Sequence, residues 1–137
     1  MIIDAKNLII GRLASYAAKQ ALLGETIDII NIEQTVITGS KPNIVAKQHQ
    51  RLSRGHTYKG PFTERNEENF FKRLVRGMLP YKQERGKVAW KRIKCHIGIP
   101  DHLKDKKAET VANASIARTN TLKYMRLSEL SRLMGGR

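Results

Sequence analysis

The sequence predicts an α/β fold, and three patterns in the first 32 residues support this prediction. Residues 2–5 form a short apolar run suited to a strand. After Gly11, small and apolar residues keep helical spacing to Leu22, and Gly24 is placed to end the helix. Residues 27–32 are nearly continuous in apolar side chains, as expected of a strand covered on both faces in a parallel sheet. Strand, helix and strand in this order open an α/β unit.

A second strand and a second helix are predicted directly after the first unit. Residues 35–38 also favour a strand, and only Glu33 and Gln34 separate them from the strand before. Two residues are too few for a parallel crossover, so the two runs form either a tight hairpin or one strand with a bend. Beyond Gly39, Ser40 is placed to cap a helix with Pro42 in its first turn.

The strongest helical pattern predicts a helix over residues 64–78. Thr63 is placed to cap its start, and Pro80 cannot continue it. A further helix is expected over residues 87–93, a closing strand over 94–98 and a short terminal helix around residues 127–133. The apolar face of the long helix comprises Phe70, Phe71, Leu74, Val75 and Met78.

The charge balance indicates a polyanionic partner. The 137 residues include 26 Lys and Arg against 12 Asp and Glu, a net charge of +14. Residues 1–39 are slightly acidic, whereas residues 40–62 hold five bases and no acid. Nucleic acid is therefore the first partner to expect. A membrane is not expected, because no apolar run approaches the roughly 20 residues of a spanning helix and no signal peptide opens the chain. The single Cys95 favours a reducing, cytosolic setting.

The candidate phosphate-binding residues fall into two basic stretches, one on each side of residue 62. The alternative interpretation of these residues is an ordinary solvated basic face. For Arg73 or Arg85, a further alternative is an ion pair with a glutamate inside the domain. Residues 53–62 are rich in glycine and bases, and we expect this loop to be disordered without RNA, with His56 or Tyr58 stacking on a base. The candidates are Lys41, Lys47, Arg51, Arg54, His56, Lys59, Arg73, Arg76, Lys82, Arg85, Lys87, Lys91 and Arg92.

Other chemistries are not predicted. The four histidines (His49, His56, His96 and His102) match no common zinc spacing, so no metal, cofactor or small-molecule substrate is expected. Thr38-Gly39-Ser40-Lys41 lacks the order of a nucleotide-binding phosphate loop, which argues against a nucleotide-dependent enzyme. A helix-turn-helix transcription factor is disfavoured because residues 81–86 separate the two helices around Pro80.

Several motifs occur in the order typical of one family. These are Asp4-Ala5, Gly11-Arg12-Leu13-Ala14-Ser15, Val36-Ile37-Thr38-Gly39, and above all Val75-Arg76-Gly77-Met78-Leu79-Pro80 leading to Arg85-Gly86-Lys87 and Ile93. Together they resemble the ribosomal protein L13 family of the large subunit, most closely its archaeal form.

The resemblance implies a three-layer α/β/α fold with a small, mostly parallel four-stranded sheet. It also implies an architectural, non-enzymatic role in the cytoplasmic ribosome, with large-subunit ribosomal RNA and neighbouring large-subunit proteins as partners and a part in assembly. With neither repeat nor linker, residues 1–137 are expected to form one domain: an α/β core over 1–100, the basic loop 53–62, and an extended tail over 101–137 with a short helix.

The turn that follows the long helix carries the most specific part of the resemblance. Gly77 is expected to let the helix end approach a neighbouring backbone closely, and Met78 is expected to pack inward. Leu79 and Pro80 complete the motif, and Pro80 is expected to fix the turn that presents the next basic stretch.

Overall fold

The computed structural model describes residues 1–56 and 58–136, which form an α/β fold with five α-helices and five strands. The strands are β1 (Ile2–Asp4), β2 (Ile27–Ile30), β3 (Val36–Thr38), β4 (Ile93–Cys95) and β5 (Tyr124–Arg126). The helices are α1 (Ile10–Leu22), α2 (Lys41–Ser53), α3 (Glu67–Met78), α4 (Glu84–Lys91) and α5 (Leu127–Leu133). The predicted α/β class is confirmed.

The main sheet is parallel and has β2 at its centre, in the order β1-β2-β4. Ile3 of β1 lies opposite Ile29, and Ile29 lies opposite Cys95 of β4. Within β2, Ile27, Ile29 and Ile30 are buried, which explains its nearly continuous apolar pattern. This sheet has three strands where four were expected, because β3 pairs antiparallel with β5 in a separate two-stranded sheet. The three-layer arrangement stays a prediction.

Asn31 separates β2 from β3. Its backbone adopts the left-handed conformation with φ of 56°, and its Nδ2 donates a hydrogen bond of 2.9 Å to Oδ1 of Asp4. The chain then forms a 3₁₀ turn over Ile32–Gln34 before β3 begins. Both expected arrangements, the tight hairpin and the bent strand, are therefore wrong. The left-handed residue directs the chain out of the first sheet, and β3 finds its partner near the C-terminus.

Helix α1 follows its sequence pattern closely. Leu13 and the alanines on the same face are buried, which lets α1 pack against both α3 and α4. Gly24 has φ of 109° and its N–H donates to the carbonyl of Ala21 over 3.2 Å. The predicted end of this helix is confirmed.

The boundaries of two helices differ from the predicted ones. Helix α3 begins at Glu67 with Asn66 in the capping position, and the Thr63 hydroxyl instead donates to the Arg51 carbonyl over 3.4 Å. The predicted start at residue 64 is therefore wrong by almost one turn. Helix α4 begins three residues earlier than expected and ends at Lys91, because Ile93 already belongs to β4.

Helix α2 begins where expected. Ser40 occupies the capping position and Pro42 lies in the first turn, although the Ser40 side chain makes no capping hydrogen bond. The helix runs to Ser53, so the first residue of the predicted basic loop is helical.

The C-terminal segment, expected as an extended tail, packs back against the rest of the chain. The backbone of Glu109 exchanges two hydrogen bonds of 2.9 Å with β1, accepting from Asp4 and donating to Ile2. The predicted terminal helix is confirmed as α5, and Leu127 and Leu130 on it join the same buried cluster as the sheet residues. Gly136 donates to the Ser131 carbonyl over 2.8 Å, and Arg137 lies outside the described residues.

Candidate nucleic-acid interface

Helices α2 and α3 border a cleft of about 410 Å³. Gln48 and Arg51 line it from α2, because residues three apart share one helix face. Arg73 and Gly77, four apart, line it from α3. The remaining lining residues are Arg54, Pro61, Thr63, Glu64, Phe70 and Leu74. Three of the predicted RNA-binding arginines are thus brought to one cleft.

A second pocket of about 480 Å³ adjoins the cleft under the basic loop and shares Arg54, Pro61 and Thr63 with it. It adds His56 and Arg65 to the lining. We refer to the two pockets together as the α2–α3 groove, whose basic residues are Arg51, Arg54, His56, Arg65 and Arg73. Glu64 is the one acidic residue among the described residues that line the groove.

The C-terminal end of the loop beside the groove is attached at two points. Arg73 Nη1 donates to the Phe62 carbonyl over 2.7 Å, which fixes the loop to α3. The Ser131 hydroxyl donates to the Arg65 carbonyl over 2.7 Å, which fixes the end of the loop to α5. At the tip, His56 and Gly60 exchange two backbone hydrogen bonds of 3.0 and 2.9 Å. The expected disorder of this loop without RNA stays a prediction.

Aromatic side chains lie beside the basic side chains of this loop. The rings of His56 and Tyr58 lie 6.0 Å apart, and Tyr58 is 86% exposed. Phe62 is 70% exposed beside the groove. Exposed rings next to arginines suit base stacking.

A second cationic surface lies where α3 meets α4. We call its exposed residues Arg76, Lys82, Arg85, Lys87 and Lys91 the junction cluster. The Arg76 guanidinium lies over the Tyr81 ring at 5.3 Å, a cation–π contact. Arg85 Nε donates to Gln83 Oε1 over 2.9 Å, and Lys87 lies 3.6 Å from Glu84 in an exposed pair. These contacts leave charged nitrogens available at the surface.

Several predicted contacts have partners inside the chain. Lys41 pairs with Glu129 of α5 at 3.0 Å, although no acid lies near it in the sequence. Arg92 is half-buried, and its Nη1 donates to the Ala21 carbonyl over 3.3 Å at the end of α1, where a cation suits the helix dipole. Arg73 and Arg85 bond to a carbonyl and an amide, so the alternative of internal glutamate pairs for them is wrong. Lys47 and Lys59 are exposed.

The turn after α3 differs from the expectation at two positions. Met78 is 46% exposed and Leu79 only 4%, because Leu79 has left the helix and its extended backbone directs the side chain inward. A Cβ on Gly77 would meet no atom within 4 Å, so close backbone approach does not occur there. It occurs at Gly86, where a Cβ would collide with the carbonyl of Pro80. The turn therefore packs against the start of α4.

In residues 1–56 and 58–136 the metal-ligating side chains are dispersed and the cysteine is buried. No group of three or more His, Cys, Asp or Glu side chains there is arranged to hold a metal ion. Burial raises the pKa of the Cys95 thiol to about 12, which keeps it protonated and unreactive. None of the described helices is long and apolar enough to cross a membrane.

Two groove residues escaped sequence reasoning. The helical pattern predicts Arg65 in the first turn of the long helix, but it lies in the loop before α3 and lines the groove. Phe62 directly follows Gly60 and Pro61, and a large aromatic residue in a polar loop is the signal that marks it.

A small α/β fold with two exposed cationic surfaces defines the class of basic proteins suited to a polyanionic partner. The family model of ribosomal protein L13 matches residues 1–102. Over 136 residues the chain is 44% identical to large ribosomal subunit protein uL13 of Methanopyrus kandleri, covering 98% of this chain and 86% of that relative. For uL13 of Methanosarcina barkeri the identity is 42% over 137 residues, covering 99% of this chain and 98% of that relative. For uL13 of Haloarcula marismortui the identity is 38% over 135 residues, covering 98% of this chain and 90% of that relative. The chain belongs to the ribosomal protein L13 family, as its motifs predicted.

Proposed function

We propose that this chain is a structural component of the large ribosomal subunit that binds large-subunit ribosomal RNA and supports subunit assembly. The observation that carries the proposal is the clustering of exposed cations into the α2–α3 groove and the junction cluster, on a chain whose relatives are named as large-subunit proteins. Neighbouring large-subunit proteins are its further partners, and the cytoplasmic ribosome is its location. The whole chain acts as one domain.

The two surfaces contact RNA in different ways. In the groove, arginines face a concave space into which a strand of RNA fits, with His56 and Phe62 at its rim. In the junction cluster, lysines and arginines stand on a convex helix surface and neutralise phosphates that would otherwise repel one another. The RNA contacts are those predicted from the sequence: Lys41, Lys47, Arg51, Arg54, His56, Lys59, Arg73, Arg76, Lys82, Arg85, Lys87, Lys91 and Arg92.

The partners that Lys41 and Arg92 have within the chain distinguish two kinds of RNA contact. The Lys41 pair is exposed and stabilises the fold by less than about 1 kcal/mol, so a phosphate replaces Glu129 at little cost. Arg92 is different, because its half-buried guanidinium bonds to the end of α1. We expect Lys41 to exchange partners on RNA and Arg92 to keep its internal one while its free nitrogens meet RNA.

The salt dependence of RNA binding tests this proposal. The full chain is titrated against a transcribed archaeal large-subunit RNA at several salt concentrations, as wild type and with Arg51, Arg54 and Arg73 changed together to Gln. Because each lost phosphate contact lowers the slope of log K against log salt by about 0.7 to 0.9, the triple variant should lose about 2 to 3 in slope.

The matched control changes Lys6, Lys19 and Lys107 to Gln. It removes the same charge from exposed positions outside both cationic surfaces. Equal slopes for the two triple variants would show that only the net charge matters and would contradict the proposal. The proposal would also be contradicted if the chain bound ribosomal RNA no more tightly than an unrelated RNA of equal length.

A further inference from the structure

The cleft between α2 and α3 combines apolar and cationic walls. Pro61, Phe70 and Leu74 supply apolar surface, and three arginines line the same cleft: Arg51, Arg54 and Arg73. Its volume of about 410 Å³ lies within the range of pockets that hold small organic molecules. A ligand with a flat apolar part and an attached anion matches both kinds of wall.

Gln48 adds a polar group that a phosphate cannot satisfy. The residue lines the cleft, is only 7% exposed, and its Oε1 has no hydrogen-bond partner in the structure. A buried acceptor without a partner is costly, and it is relieved by a ligand that donates. Phosphate oxygens only accept at neutral pH, whereas the edge of a nucleobase offers a donor and an acceptor side by side. The side-chain amide of glutamine is complementary to such an edge.

Gly77 keeps the opposite wall of the cleft open. It lies inside α3, where glycine is less favourable than alanine, yet a Cβ there would meet no atom within 4 Å. No neighbour inside the chain therefore requires glycine at this position. A ligand that approaches the backbone of α3 across the cleft would meet no side chain at this position.

We propose that this cleft binds a single unstacked nucleotide of the RNA. Its base lies against Leu74 and Pro61 with its edge hydrogen-bonded to Gln48, and its phosphates lie on the groove arginines. The proposal rests on the proposed RNA-binding function and adds that the contact reads a base as well as the backbone. Unstacked bases are the usual target of sequence-specific RNA recognition.

The first test replaces Gln48 with Met in the full chain and measures binding to the transcribed archaeal large-subunit RNA. Met keeps the length of the side chain and removes its hydrogen bonds. The matched control is Gln50→Met, on an exposed face of the same helix. We expect Gln48→Met to weaken binding roughly 5- to 100-fold with an unchanged salt slope, and Gln50→Met to have no effect.

Chemical probing of the same complexes identifies the nucleotide. In the wild-type complex one unpaired base should be protected at its hydrogen-bonding edge, and Gln48→Met should expose it. Gly77→Leu, which fills the cleft from α3, should expose the same base. Its control, Gly11→Leu, adds the same side chain to another helical glycine with open space around it and should leave the protection unchanged.

These experiments distinguish a failure of the nucleotide-binding proposal from a failure of the proposed RNA-binding function. If wild type binds the RNA tightly but Gln48→Met and Gly77→Leu leave affinity and footprint unchanged, the cleft holds no nucleotide and the general RNA-binding function stands. If both variants weaken binding while the protected sites are only backbone positions, the cleft binds phosphate alone, which also overturns the inference. If wild type does not bind the RNA, the proposed function fails and the inference fails with it.

Discussion

Two glycines of the family motif, nine residues apart, should respond oppositely to alanine. Gly86→Ala should destabilise the protein, because the new Cβ would collide with the carbonyl of Pro80 and lie 2.9 Å from the Tyr81 nitrogen. Gly77→Ala should stabilise it, because the new methyl group meets nothing. Both glycines lie inside helices, so both changes gain helix propensity.

The magnitudes follow from two opposing contributions. Alanine is more favourable than glycine within a helix by about 1 kcal/mol, which sets the upper limit of the gain at Gly77. Overpacking costs about 1–3 kcal/mol and more where the obstructing atoms are backbone. At Gly86 relief requires α4 to move off the turn with buried Ala89 and half-buried Trp90. We expect a net loss of about 1–2 kcal/mol, or a Tm lower by roughly 4–8 °C.

Urea unfolding followed by tryptophan fluorescence and circular dichroism measures both changes. The only tryptophan, Trp90, lies on α4 and donates a hydrogen bond to the Lys72 carbonyl of α3 over 3.3 Å, so it reports on the affected contact. If Gly86→Ala were as stable as wild type, or if Gly77→Ala were less stable, the packing described for this turn would be refuted.

Three further predictions address the junction cluster, the buried thiol and the turn after β2. Changing Arg85, Lys87 and Lys91 together to Gln should weaken RNA binding and leave the circular dichroism spectrum unchanged; unchanged affinity would contradict a role for the cluster. Because the Cys95 pKa is raised to about 12 in the fold from 9.0, only the unfolded state releases this proton at intermediate pH, so stability should fall from pH 9 to 12 and fall less in Cys95→Ala. An identical pH profile in both proteins would refute this. Asn31→Ala should cost about 1–3 kcal/mol through its left-handed backbone and lost hydrogen bond, and Asn31→Gly should cost less; equal costs in urea unfolding would show that the backbone conformation is unimportant.

The elements with strong local patterns were predictable from the sequence. Helix α1 and the apolar face of α3 follow from side-chain spacing alone, and β2 follows from its unbroken apolar run. The partner of β3 was not predictable, because Val36 pairs with Arg126 across most of the chain. No local pattern near either strand indicates this pairing, because it forms only when the C-terminal segment folds back.

The candidate site was predictable in its charge and not in its shape. Unbalanced bases identified Arg51, Arg54 and Arg73, because net charge can be counted along a sequence. Gln48 carries no such signal, since an uncharged residue becomes notable only when two helices bring it to a cleft. The pairing of Lys41 with Glu129 was not predictable because the two residues lie 88 positions apart in the sequence.

The most direct test of the central claim is the sedimentation of the native protein in a cell lysate on a sucrose gradient at moderate salt. We predict that it sediments with the large ribosomal subunit and stays there after a salt wash that removes loosely bound basic proteins. Sedimentation as a free protein of 15.6 kDa would contradict a structural role in that subunit.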